Sequence, residues 1–113
     1  MAYESRVYII EDNGSFHEKI ASINMSKIPN ANSWLSLFTD EINYKLFIYD
    51  GDTETDTDCY GERMKEAPIE KVIEWIEKEM PNSDYRRLSV LYSLLKGFNP
   101  EQWNAIKVVH YGY

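Results

Sequence analysis

One cysteine, Cys59, stands in a chain of 113 residues. An internal disulfide is therefore impossible, and a thiolate metal cluster cannot be assembled from one chain. A reducing compartment, the cytoplasm, is the expected setting. Long apolar runs are missing as well. None approaches the length of a membrane span, and the opening Met1-Ala2-Tyr3-Glu4-Ser5-Arg6 reaches charge at once, without the apolar stretch of an export signal. Export and membrane insertion are not expected. Cations are scarce: twelve Lys and Arg face nineteen Asp and Glu, a net charge of −7, and the pI is near 4.8. That balance repels phosphate backbones and anionic lipid surfaces, which argues against direct nucleic-acid binding.

Catalytic patterns are absent too. The two histidines, His17 and His110, are far from Cys59 in sequence, and there is no Gly-rich phosphate loop, metalloprotease helix motif or nucleophile elbow. The chain reads as a non-catalytic domain with no metal or cofactor.

What the chain does hold is core material. Hydrophobic residues make up 43% and aromatics 14%, enough for one domain, residues 1–113, with one core. Residues 4–11 alternate as a strand, with Arg6, Tyr8 and Ile10 on one face and Val7 and Ile9 on the other. Asn13-Gly14 then signals a hairpin, because both residues tolerate positive φ, and the partner strand is expected over residues 16–25. Trp34, Leu35, Leu37 and Phe38 suggest a short helix capped by Asn32 or Ser33. Residues 42–49 read as a strand, followed by an Asp50-Gly51 turn.

From Glu66 the period becomes helical. Ile69, Val72, Ile73, Ile76 and Met80 follow Pro68, which suits a first-turn position, and Pro81 ends the helix. A second helix is expected after Asn82-Ser83-Asp84, with Leu88, Leu91, Tyr92 and Leu95 on its stripe and Gly97 at its C-cap. Asn99-Pro100-Glu101-Gln102 starts a short turn containing Trp103, and residues 106–113 form a last strand. The expected fold class is α+β: a small antiparallel β-sheet packed against two principal helices of the C-terminal half, with a β-strand at the C-terminus. Surplus aromatics and strand edges make a homodimer an expectation.

The charge is not spread evenly. Residues 50–79 hold eleven acids against four bases, whereas the remaining residues hold eight of each. At the start of that segment Asp50, Asp52, Glu54, Asp56 and Asp58 fall on every second residue. As a strand, residues 52–58 would place their acids on one face roughly 6.7 Å apart. Three readings follow: a solvated edge that blocks aggregation, a face for a basic protein groove, or calcium. No register of the row places Gly at the sixth and Glu at the twelfth position of an EF-hand loop, which counts against the last. Arg86 and Arg87, in the first turn of the second long helix, are candidates for an anionic ligand or for pairing with acids. Arg6 on the first strand has the same two readings, and Tyr111 belongs to the C-terminal aromatic set expected to be exposed.

Tyr3-Glu4-Ser5-Arg6-Val7-Tyr8, Tyr60-Gly61-Glu62, Asp84-Tyr85-Arg86-Arg87, Phe98-Asn99-Pro100-Glu101-Gln102-Trp103 and Val109-His110-Tyr111-Gly112-Tyr113 together resemble small phage and prophage proteins of Gram-positive bacteria. The resemblance implies a counter-defence role, as in anti-CRISPR proteins: inhibition of a host nuclease or CRISPR effector by occupying its basic nucleic-acid groove, in the host cytoplasm. The acidic row Asp50, Asp52, Glu54, Asp56 and Asp58 is then the expected protein-binding site. The resemblance also admits a sponge for a cyclic-nucleotide immune signal, with Arg6, Arg86, Arg87 and Tyr111 as ligand-binding candidates. A phage structural or regulatory protein is the third reading.

Overall fold

A computed structural model describes residues 5–47, 54–58 and 60–112 of the chain. Strand β1 (Ser5–Asp12) and strand β2 (His17–Asn24) pair as an antiparallel hairpin. The loop between them is closed by Asn13 N–H donating to Phe16 O at 3.0 Å and Gly14 N–H donating to the Asp12 carboxylate at 2.9 Å. Gly14 takes the left-handed conformation, φ 85, and Asn13 does not, so only the glycine of the Asn-Gly pair is used for its freedom. A register shift between Ile9 and Ile10 moves the partner from Ala21 to Lys19, leaving Ile20 as a bulge.

The main sheet has the order β2-β1-β7-β6-β3, with β3 at Asp40–Glu41, β6 at Lys65–Pro68 and β7 at Ile106–Gly112. Every pairing is antiparallel. Helix α2 (Ile69–Glu79) and helix α3 (Arg86–Lys96) connect β6 to β7 and cover one face. There Val7, Ile9, Ala67, Ile106 and Val108 meet Val72, Ile73, Ile76, Leu88, Leu91 and Leu95. The small α+β architecture with two C-terminal-half helices and a terminal strand is the one that the hydrophobic periods called for.

The opposite face is not open to water. Tyr8, Ile10, Val109 and Tyr111 are buried against Ile42, Leu46 and Met64, which belong to the excursion between β3 and β6. That excursion carries a second, minimal sheet of β4 (Leu46–Phe47) and β5 (Glu54–Thr55). Strands β1 and β7 are thus buried on both faces. Tyr111, expected at the surface, is 2% exposed for this reason.

Several local expectations are corrected. The short helix α1 (Ala31–Leu35) is entered through Asn30 in the left-handed conformation, not capped by Asn32 or Ser33. Residues 42–47 are not continuous strand: only Leu46 and Phe47 enter a ladder, opposite Thr55 and Glu54, and residues 42–45 pair with no neighbouring strand. The remainder of that expected strand and the Asp50-Gly51 turn lie outside the described residues. Glu66 and Pro68 are strand, not helix. Proline forces the preceding Ala67 away from helical dihedrals, so residues 65–68 pair with β7, and Pro68 becomes the N-cap of α2, with ψ 141. Gly97 closes α3 at φ −70 rather than in a left-handed cap. Asn99 does act as a cap, its side chain accepting from Glu101 N–H at 3.2 Å.

The tryptophans serve the core: Trp34 is fully buried, Trp75 nearly so, and Trp103 packs at its margin. Trp75 Nε1 donates to Ser33 Oγ at 2.8 Å, which ties α1 to α2. Edge strand β2 is blunted against pairing with another chain by its bulge and by Glu18 and Lys19. No helix among the described residues is long and apolar enough to cross a membrane.

Candidate functional site

The sequence row of acids does not stand as a ruler. Asp50 and Asp52 lie outside the described residues. Glu54 is exposed on β5, but the strand stops at Thr55, and the chain bends at Asp56 before a single bridge from Thr57 to Arg63. The threonines drive this bend, because Thr55 Oγ1 accepts from Thr57 N–H at 3.0 Å, a local bond that competes with the strand ladder. Asp56 lies 3.8 Å from Arg63 Nε.

Asp58 organises a turn. Its Oδ1 accepts from Tyr60 N–H at 2.8 Å and from Glu62 N–H at 3.0 Å, while Gly61 supplies the left-handed residue at φ 83. The Asp58-to-Gly61 spacing is a turn signature that the alternating charge obscured. Asp58→Ala is expected to lower stability by roughly 1–2 kcal/mol in urea unfolding, and Asp58→Asn, which keeps an acceptor oxygen, by less.

The turn forms one wall of a cleft of about 520 Å³. Glu41 from β3, Asp58 and Glu62 set carboxylates around it, while Leu35, Phe38 and Met64 line it with apolar surface. Arg63 and Lys65 also reach it, and Arg63 leans towards Asp56. Sequence reasoning missed Glu41 and Glu62 as site residues. Glu41 is brought in only by the pairing of β3 with β6, opposite Lys65.

His110 lies at the bottom of the cleft. It is 6% exposed, its Nε2 is 3.0 Å from Ser5 Oγ, and its ring is tilted against Phe38 with centroids 5.3 Å apart. Burial pushes its pKa down to about 4, against the opposing pull of Asp58 and a backbone hydrogen bond with Gly112. The imidazole is therefore neutral at pH 7. A serine bonded to a histidine is half of a nucleophile–base arrangement, but so weak a base has little driving force for proton abstraction at neutral pH. The pair is a satisfied polar contact between β1 and β7. His17 is stacked on Tyr44 with centroids 3.8 Å apart and lies 3.5 Å from Asp12. Tyr44 donates to Glu66 at 2.7 Å, and Lys107 Nζ is 3.6 Å from Glu66.

The four cationic and aromatic candidates do not converge. Arg6 and Tyr111 are cross-strand partners on the face turned away from the helices, whereas Arg86 and Arg87 start α3 on the other side. Arg87 donates to Asn24 Oδ1 and Ser26 O, each at 3.3 Å, and lies over the Tyr85 ring at 5.7 Å. Arg87→Ala should cost roughly 1 kcal/mol of stability, and Arg86→Ala, at an exposed position, less than about half of that. Equal effects in chemical denaturation would contradict this division.

Among the described residues no group of three or more His, Cys, Asp or Glu is arranged to hold a metal ion. Comparison with known proteins finds no matching family model, curated protein or solved structure.

Proposed function

We propose that this protein is a non-catalytic binding domain that engages a basic surface of a partner protein through its acidic cleft, together with Glu54 and Asp56 of the segment that leads to Asp58. The observation that supports this reading is the grouping of Glu41, Asp58 and Glu62 around apolar Leu35, Phe38 and Met64. An arginine or lysine side chain needs both parts, a carboxylate for its head and apolar surface for its stem. Concentration of the whole charge imbalance in residues 50–79 would steer such a partner during approach. The partner class is a nucleic-acid-handling protein with a basic groove. On the resemblance to phage proteins, the partner we propose is a host nuclease or CRISPR effector, with this chain as its inhibitor.

The test is inhibition of target cleavage by a purified CRISPR effector loaded with its guide. The decisive variant carries Glu41→Gln, Glu54→Gln, Asp58→Asn and Glu62→Gln, which removes four charges and keeps acceptor oxygens at every position. The expected result is association slowed about tenfold or more, with a weakened dependence on salt. Inhibition by the quadruple variant at the strength of the parent would overturn the mechanism. Failure of the parent to inhibit or bind any such effector would overturn the partner class.

A further inference from the structure

Exposed apolar side chains gather at one edge of the molecule. Five large ones stay exposed among the described residues, and three of them are Phe16 at 55%, Ile20 at 43% and Phe47 at 49%. Phe16 leads into the edge strand β2, Ile20 is the residue left over by its bulge, and Phe47 belongs to β4, which lies alongside β2. Phe16 and Phe47 line one recess of about 420 Å³, whose Lys and Glu residues are Glu18, Lys19, Lys45 and Glu54. Phe47 and Glu54 are cross-strand partners on β4 and β5, so ring and carboxylate project together. Clustered apolar surface of this kind marks a place that another surface covers.

The charge around the rings says which surface fits. The chain as a whole carries −7, so two copies repel one another over most approaches. At this recess the balance is even, Lys19 and Lys45 against Glu18 and Glu54. Lys45 and Glu54 are both exposed and form no ion pair among the described residues. A two-fold contact sets one patch against its own copy, so the patch must carry its own complement. Equal numbers of acids and bases around an apolar centre meet that condition. A strongly basic partner of the kind that suits the acidic cleft gains nothing from such a pattern.

We infer that the Phe16–Phe47 patch is where a second copy of this chain docks. The rings of the two copies cover one another at the centre, and lysines of each copy face glutamates of the other at the rim. Backbone pairing of β2 with its copy is not the route, because the bulge and Glu18 and Lys19 blunt that edge. The contact is small, which makes the dimer weak, with a dissociation constant on the order of 10–100 μM. The recess shares no lining residue with the acidic cleft, so a dimer carries two clefts, and Glu54 alone is common to this patch and the proposed partner surface. The inference stands whether or not that partner is the one proposed.

The experiment is sedimentation equilibrium of the full chain from about 5 to about 500 μM, with proton–nitrogen NMR spectra over the same dilution series. The expected result is a reversible monomer–dimer equilibrium, with dilution shifts centred on the amides of residues 16–20 and 45–47. Phe16→Ser with Phe47→Thr, both at exposed positions, should leave a folded monomer throughout the range. Lys45→Glu, which turns the rim into one base against three acids, should weaken association about tenfold or more. The same spectra report whether each variant is folded, and the dilution shifts of the parent locate the contact without any variant. A parent that stays monomeric at the highest concentration would overturn the inference and leave the patch to a different protein. Dilution shifts centred elsewhere, or a dimer of undiminished strength in the folded double-Phe variant or in Lys45→Glu, would overturn it as well.

Discussion

Between pH 6.5 and about 4 the protein should lose roughly 3 kcal/mol of stability through His110 alone. Burial holds this imidazole at a pKa of about 4 against an ordinary value of 6.5. In that interval the unfolded chain binds a proton at His110 and the folded chain does not, so acidification favours unfolding. The contribution is fully present above pH 6.5, falls as pH drops through the window, and levels off below about pH 4, where both states are protonated. Carboxylates with lowered pKa act further down: Asp12, held below its usual 3.8 by the hydrogen bond from Gly14 N–H, contributes only at still lower pH. Urea unfolding at a series of pH values measures the slope. His110→Gln, which keeps a polar partner for Ser5, should flatten it. A parent protein with constant stability across the window would show that His110 is accessible to protons in the folded state.

Truncation on either face of β1 should be equally severe. Ile9→Ala opens a cavity beneath the helices and Ile10→Ala one beneath the Ile42–Leu46–Met64 layer, and each is expected to cost about 2–4 kcal/mol. Both side chains are fully buried, but they belong to different clusters. A sheet with one wet face would tolerate the second change with little loss. Thermal or urea unfolding of the two variants distinguishes these cases, and a near-neutral Ile10→Ala would mean that the excursion between β3 and β6 does not close over the sheet.

The helices were legible because their signal is periodic and local: Ile69, Val72, Ile73 and Ile76 announce a stripe whatever lies opposite. The hairpin was legible for the same reason, through Gly14. The limits of the acidic site were not. Asp58 looked like one member of a row, but its oxygen is used by the backbone of its own turn. Glu41 looked unremarkable, and pairing between two short strands carries it to the cleft. Tyr111 was expected at the surface as one of the C-terminal aromatics, because nothing in its neighbourhood reveals that Ile42, Leu46 and Met64 fold over it.

Composition and periodicity by themselves determined the class of this protein: an acidic α+β fold with no internal disulfide, two amphipathic helices late in the chain, and a charge imbalance confined to residues 50–79. These are properties of residue type and of spacing over a few turns, and burial of an apolar stripe requires no knowledge of the partner surface. Only the tertiary structure decided which carboxylates share a cleft, which arginine is already engaged, and that the sheet is covered on both faces. Those outcomes depend on strand order and on contacts between residues far apart in sequence, where the free energy of a side chain is set by what the fold places against it.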